Sequence, residues 1–163
     1  VPLAIAILLL PPTAGGAGCW TAGAALVWAG EGLRLWAVRH IGAISRTRSD
    51  RLGPLVQTGP FSLVRNPLYV GNILLWTGFA VTAHLVWLAP IIVLLLALQY
   101  HAIVRWEEDL LTKRLGESYL AYAARVPGWL PRLSGRIEPA RELFSWSDTL
   151  FSERGTIIAI AVG

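Results

Sequence analysis

Residues 54–78 read Pro-Leu-Val-Gln-Thr-Gly-Pro-Phe-Ser-Leu-Val-Arg-Asn-Pro-Leu-Tyr-Val-Gly-Asn-Ile-Leu-Leu-Trp-Thr-Gly, and they carry the densest chemical signal in the chain. Gly59-Pro60 is a turn signal. Asn66 is a favoured helix N-cap and Pro67 a favoured first helical residue, so an apolar helix starts here. Taken alone, that pair describes a capped helix. With Arg65 beside it, the same helix N-terminus is suited to hold an anionic group. Tyr69 lies in the first turn, and Gly71 would let a ligand approach the backbone.

A second constellation is Glu107-Glu108-Asp109, just after Arg105 and Trp106. Three acids where an apolar helix ends could be a solvated continuation, with Arg105 and Asp109 paired at i,i+4. They could equally give a carboxylate to a cationic or hydroxyl-bearing cofactor. Tyr119 and Tyr122 follow at helical spacing, positioned to pack or to offer a hydroxyl to a ligand. Glu31 and Arg34 form an i,i+3 ion pair inside an apolar helix, structural or lining a pocket. The sequence holds no metal-ligand spacing, P-loop, dinucleotide-binding glycine motif or nucleophile elbow.

The elements that must position these groups are membrane-like. The chain is 55% hydrophobic and 15% charged with mean hydropathy +0.55, which makes a polytopic membrane protein the default. Val1–Leu10 reads as the tail of a first transmembrane helix stopped by Pro11-Pro12. A second helix is expected over residues 19–38, with Gly23, Ala24, Gly30 and Gly32 allowing close approach of a neighbour. A polar loop over 39–66, a third helix over 67–82, a turn at 82–84 and a fourth helix over 85–106 follow. Residues 107–126 are amphipathic and broken at Gly116; 127–136 form a Pro/Gly loop; 137–153 are polar and expected along the surface; Thr156–Val162 begins a fifth apolar segment. The expectation is one all-α domain over 1–163, a bundle of about five spans with a cytoplasmic amphipathic segment, trimmed at both ends.

Charge sets the topology. Every Lys and Arg except Arg34 lies in 39–65, in 105–141 or at Arg154, while the 11–18 and 82–84 loops have none. The basic segments should therefore face the cytoplasm, in a bacterial inner membrane, and the positive charge reports topology rather than nucleic-acid binding. Cys19 is the only cysteine, so no intrachain disulfide can form.

In order and spacing these segments resemble the isoprenylcysteine carboxyl methyltransferase and phospholipid methyltransferase superfamily of membrane enzymes. The resemblance covers about residues 50–132: Gly59-Pro60-Phe61, then Val64-Arg65-Asn66-Pro67-Leu68-Tyr69-Val70-Gly71, then Glu107-Glu108, Leu111, Gly116, Tyr119 with Tyr122, and Val126-Pro127 through Pro131. It implies S-adenosylmethionine as methyl donor and a lipophilic acceptor, a carboxylate or an amine, delivered from the bilayer. It also implies a cytoplasmic cofactor pocket built from Gly59, Pro60, Arg65, Asn66, Pro67, Tyr69, Gly71, Glu107, Glu108, Tyr119 and Tyr122. Arg105 and Glu108 are the candidates for a catalytic role, and Glu31 and Arg34 for the acceptor route. Asn66 stands where the family often has His; it can hydrogen-bond but not carry a proton. Ile103 stands where the eukaryotic carboxyl methyltransferases have Arg, which argues against a prenylated-protein carboxylate. The rival readings are an NADPH-dependent membrane lipid reductase and a non-catalytic scaffold or transporter component.

Overall fold

The computed structural model describes residues 5, 7, 9–12, 16–42, 55–132, 135–140 and 143–162. Much of the expected polar loop, residues 43–54, and most of the first apolar segment lie outside the described residues. Among those described, the chain is helical without strands: α1 Ala17–Ile41, α2 Pro67–Thr82, α3 Ala89–Leu115, α4 Glu117–Arg125 and α5 Trp146–Val162. Short 3-10 turns at Gly59–Ser62 and Val86–Leu88 lead into α2 and α3.

Two boundaries differ from expectation. The apolar fourth helix does not end near 106; α3 runs unbroken to Leu115. Residues 105–115 are mostly good helix formers with no Gly or Pro, so nothing stops the helix until Gly116, whose φ of 53° ends it. Nor do residues 146–153 merely lie along the surface. They are the first turns of α5. Ser145 caps it: its Oγ accepts from the Asp148 amide at 3.1 Å and donates to the Asp148 carboxylate at 2.6 Å. The Ser145 hydroxyl thus satisfies one of the amides at the start of α5, as an N-cap does.

Within Val86–Leu115 the most apolar window has a mean hydropathy of 2.0, and the helix is long and apolar enough to cross a membrane. Only 17% of its most apolar window is buried, which is not how the core helix of a soluble protein looks. Val93, Leu94, Leu95 and Leu98 face outward. α2 is as apolar in character but has only 16 residues. A tight corner joins the two, closed by Leu85 N–H donating to the Ala80 carbonyl at 2.8 Å, and Ala80, Leu85, Leu88, Ile92 and Leu96 pack beneath it.

α1 and α2 lie backbone to backbone. A Cβ on Gly30 would sit 2.6 Å from the Gly71 carbonyl oxygen, and one on Gly78 would sit 2.7 Å from the Val27 nitrogen. A Cβ on Gly23 would meet the Thr82 nitrogen at 2.5 Å. These partners run in opposite order along the two helices, so the pair is antiparallel. Gly32, also expected on the contact face, meets nothing within 4 Å. It stands about 200° around the helix from Gly30. α5 runs antiparallel to α1 in turn: Arg39 lies over the Trp146 ring at 4.1 Å, while Arg34 meets Glu153 further along. The C-termini of α1 and α3 and the N-termini of α2 and α5 thus share one end, the basic one.

Gly78→Leu should destabilise the protein by about 1–3 kcal/mol or more, because the helix backbones would have to separate. Gly32→Ala, with nothing to meet, should leave the melting temperature in detergent unchanged or raise it slightly. Equal melting of both variants would disprove the close α1–α2 contact.

Candidate active site

At the basic end, Arg65 links three parts of the chain. Its Nε and Nη2 donate to Glu108 Oε1 at 2.9 and 2.7 Å, reaching from the start of α2 to α3. Its Nη1 donates to the carbonyls of Ala123 and Val126 at 2.9 and 3.0 Å, covering the C-terminus of α4, where carbonyls lack helical partners. The Arg65 amide bonds the Pro127 carbonyl at 2.9 Å, and the Asn66 side-chain amide bonds that of Gly128 at 3.1 Å. Asn66 occupies the N-cap position, but its side chain makes no capping hydrogen bond; it holds the 127–128 backbone instead. Pro67 is buried at the first helical position.

Glu107 projects into the same region. It accepts from the Tyr69 hydroxyl at 2.9 Å, and the Tyr69 ring stacks on Tyr100 at 4.7 Å between centroids. Trp129 lies beside His101, with ring centroids 6.5 Å apart, and brings an aromatic surface to this end of α3. Arg105 is exposed and forms no ion pair among the described residues, with Asp109 or with the site. The expected i,i+4 pair is absent, and Arg105 stands about 200° around α3 from Glu107.

The tyrosines mainly position. Tyr119 and Tyr122 are buried with Val126 against Leu111 and Leu115, fixing α4 on the end of α3. The Tyr122 hydroxyl donates to the Phe61 carbonyl at 2.7 Å, which ties α4 to the Gly59-Pro60 turn. Burial pushes the Tyr122 hydroxyl up to about 12, with Arg65 opposing and Glu108 adding to the rise. Tyr119 is raised further, by burial first and then by the Glu108 charge. Gly59 has a φ of 57° and its α-carbon faces the His40 ring, so it is needed for the turn. Gly71 faces α1: a Cβ there would sit 2.7 Å from Arg34 Cγ. Its place in the structure is helix packing, not an opening for a ligand.

Glu31 and Arg34 are buried as expected, but in a larger cluster than an isolated pair. Arg34 Nε bonds Glu31 at 3.2 Å; its other nitrogens bond Asn72 on α2 and Glu153 on α5, with Thr156 at 3.4 Å. Asn72 and Thr156 line a cleft of about 230 Å³ between α2 and α5, whose other walls are Leu75, Trp76, Phe79, Gly155 and Ala159. Glu31 and Arg34 do not line this cleft; they stand one hydrogen bond behind its polar end. Sequence reasoning missed Asn72, Tyr100, Trp129, Glu153 and Thr156. A polar residue at 72 in an otherwise apolar helix, and a carboxylate at 153 ahead of an apolar run, were the available signals.

With this geometry in hand, comparison with known proteins is specific. The phospholipid methyltransferase family matches residues 19–118, and the chain belongs to that family. The match takes in α1, α2 and α3 with Arg65, Tyr69, Glu107 and Glu108. The chain is 39% identical over 101 residues to the nickel-cobalt-cadmium resistance protein NccN of Alcaligenes xylosoxydans xylosoxydans, and 35% identical over 101 residues to the cobalt-zinc-cadmium resistance protein CzcN of Cupriavidus metallidurans. Each alignment covers 62% of this chain and 44% of the relative, so the chain spans less than half the length of the curated relatives it matches. No solved structure matches.

Arg65→Lys should destabilise the protein by about 1–3 kcal/mol, because one ammonium cannot reach the carboxylate and both carbonyls that the guanidinium spans. Hydrogen exchange at the amides of residues 123–126 and 128 should accelerate, and unchanged exchange there would show that Arg65 does not hold the segment. The tyrosines give a pH dependence of defined sign. The unfolded chain ionises its phenols near 10 while folded Tyr122 holds its proton to about 12, so stability should fall as pH rises through that window. Tyr122→Phe should flatten the fall, as followed by melting temperature.

Proposed function

We propose that this protein is an integral membrane S-adenosylmethionine-dependent methyltransferase acting on a lipophilic acceptor. The observation that carries the reading is the joint of Tyr69–Glu107 and Arg65–Glu108 at one end of α2 and α3, inside the stretch that matches the family. The bundle would cross the bilayer about five times around α3, with the basic end in the cytoplasm.

The donor set suits the cofactor. Glu107 is engaged through one oxygen by a neutral hydroxyl, which leaves a carboxylate for ribose hydroxyls or a cationic amino group. The N-terminus of α2 suits a carboxylate, and Trp129 an adenine ring. When bound, S-adenosylmethionine supplies an electrophilic methyl carbon. Tyr69 orients Glu107; Arg65 holds Glu108 and the 123–128 backbone in place; Tyr119 and Tyr122 keep water from beneath the site. Because the methyl donor is already activated, alignment and exclusion of water are what the protein must provide. The acceptor would enter through the α2–α5 cleft, its chain against Leu75, Trp76, Phe79 and Ala159 and its polar end toward Asn72 and Thr156. The relatives' names speak of metal resistance and not of a reaction; it is the apolar lining of the cleft that favours a membrane lipid as acceptor.

Calorimetry in detergent should give saturable S-adenosylmethionine binding, weakened at least about tenfold in Glu107→Gln. NADPH binding in its place would establish the reductase, and binding of neither would favour a non-catalytic role. Ala159→Phe should fill the cleft and lower methyl transfer to extracted lipids while leaving cofactor affinity unchanged. Loss of cofactor affinity in that variant would refute the assigned route.

A further inference from the structure

A second cavity, of about 400 Å³, lies apart from the Glu107 region, between residues 57–62, the end of α4, Arg132 and residues 135–139. Arg125, Arg132 and Arg136 line it, against one carboxylate, Glu138. Its volume falls within the roughly 300–1,000 Å³ of small-molecule sites. Its lining is cationic, which is not the lining of a cavity meant for an apolar chain.

The walls are fixed by main-chain bonds. Gly59 N–H donates to the Glu138 carbonyl at 2.8 Å, and Arg132 N–H to the Leu63 carbonyl at 3.0 Å. Glu138 N–H donates to Ser62 Oγ at 3.2 Å. Arg125 is held by Gln57 at 3.0 Å. By contrast, the Arg132 and Arg136 guanidinium groups have no hydrogen-bond or ion-pair partner among the described residues. Three arginines against one carboxylate give the cavity a net positive charge, and the braced backbone fixes where their side chains start. An anion there would be attracted by that charge. Arg forks match the oxygens of a phosphate group in geometry as well as in charge.

We propose that this cavity is a binding site for a phosphate group, carried by an anionic phospholipid or by a soluble phosphate ester. Tyr122 and Val126 form part of its wall, and the Val126 carbonyl also holds Arg65. A bound phosphate would therefore brace the same segment that closes the candidate active site. The proposal does not depend on the methyltransferase reading, since it rests on the arginines and the walls alone.

The test is binding by the purified protein in nonionic detergent. Native mass spectrometry would follow phosphatidylglycerol against diacylglycerol, which lacks the phosphate, and calorimetry would follow inorganic phosphate. Phosphatidylglycerol should be retained over diacylglycerol, at least about tenfold more weakly in the exposed double variant R132A/R136A, and more tightly in Glu138→Gln. Inorganic phosphate binding with the same dependence on these variants, without phosphatidylglycerol retention, would assign the site to a soluble phosphate ester. Equal binding by wild type and the double variant, or binding of neither probe, would overturn the proposal.

Discussion

The Arg65 guanidinium is the interaction on which the basic end depends. Three elements meet on one planar group: the start of α2, the Glu108 turn of α3 and the end of α4. A helix C-terminus leaves carbonyls without partners, and a cation placed there satisfies them and complements the helix dipole. Here the same cation also neutralises a carboxylate. The Asn66 amide and the Arg65 main chain extend the contact to residues 127 and 128, so the chain after α4 is folded back over the entrance to α2.

Deeper in the bundle a second guanidinium plays a comparable part. Arg34 joins α1, α2 and α5 through Glu31, Asn72, Glu153 and Thr156. Taking charged groups out of water is costly, and such groups persist where they are paired and hydrogen-bonded. The glycine contacts make this possible. With Gly30 against Gly71, the backbones of α1 and α2 approach closely enough for Arg34 to lie across α2 and reach Asn72. The stacked rings of Tyr69 and Tyr100 lie between the two polar centres, one bonded to Glu107 and the other beside Asn72.

Under the proposed methyl transfer, this layout would give a water-soluble donor and a membrane-borne acceptor separate places. The carboxylates and the helix N-terminus sit at the basic end, and the apolar cleft opens between α2 and α5. The polar end of that cleft is the face of the Arg34 cluster. Neither half requires a proton-carrying residue at position 66, consistent with Asn standing there.

The sequence by itself determined the helical class, the apolar α3, the start of α2 at Pro67 and the break at Gly116, and it singled out residues 65–69 and 107–108, which the structure brings together. These are local properties: hydropathy, turn chemistry and capping preference act over a few residues and can be read there. It also revealed the membership that the family comparison bears out. Only the tertiary structure decided which groups meet. It paired Arg65 with Glu108 and left Arg105 outside; it turned Gly71 toward α1; and it brought Glu153, some 119 residues away, onto Arg34. It also made Asn66 hold Gly128 where a helix cap was expected. The reason is physical. A hydrogen bond's direction and a glycine's contact face depend on how helices rotate against one another, and that rotation is set by the packing of the whole bundle, which no short stretch of sequence specifies.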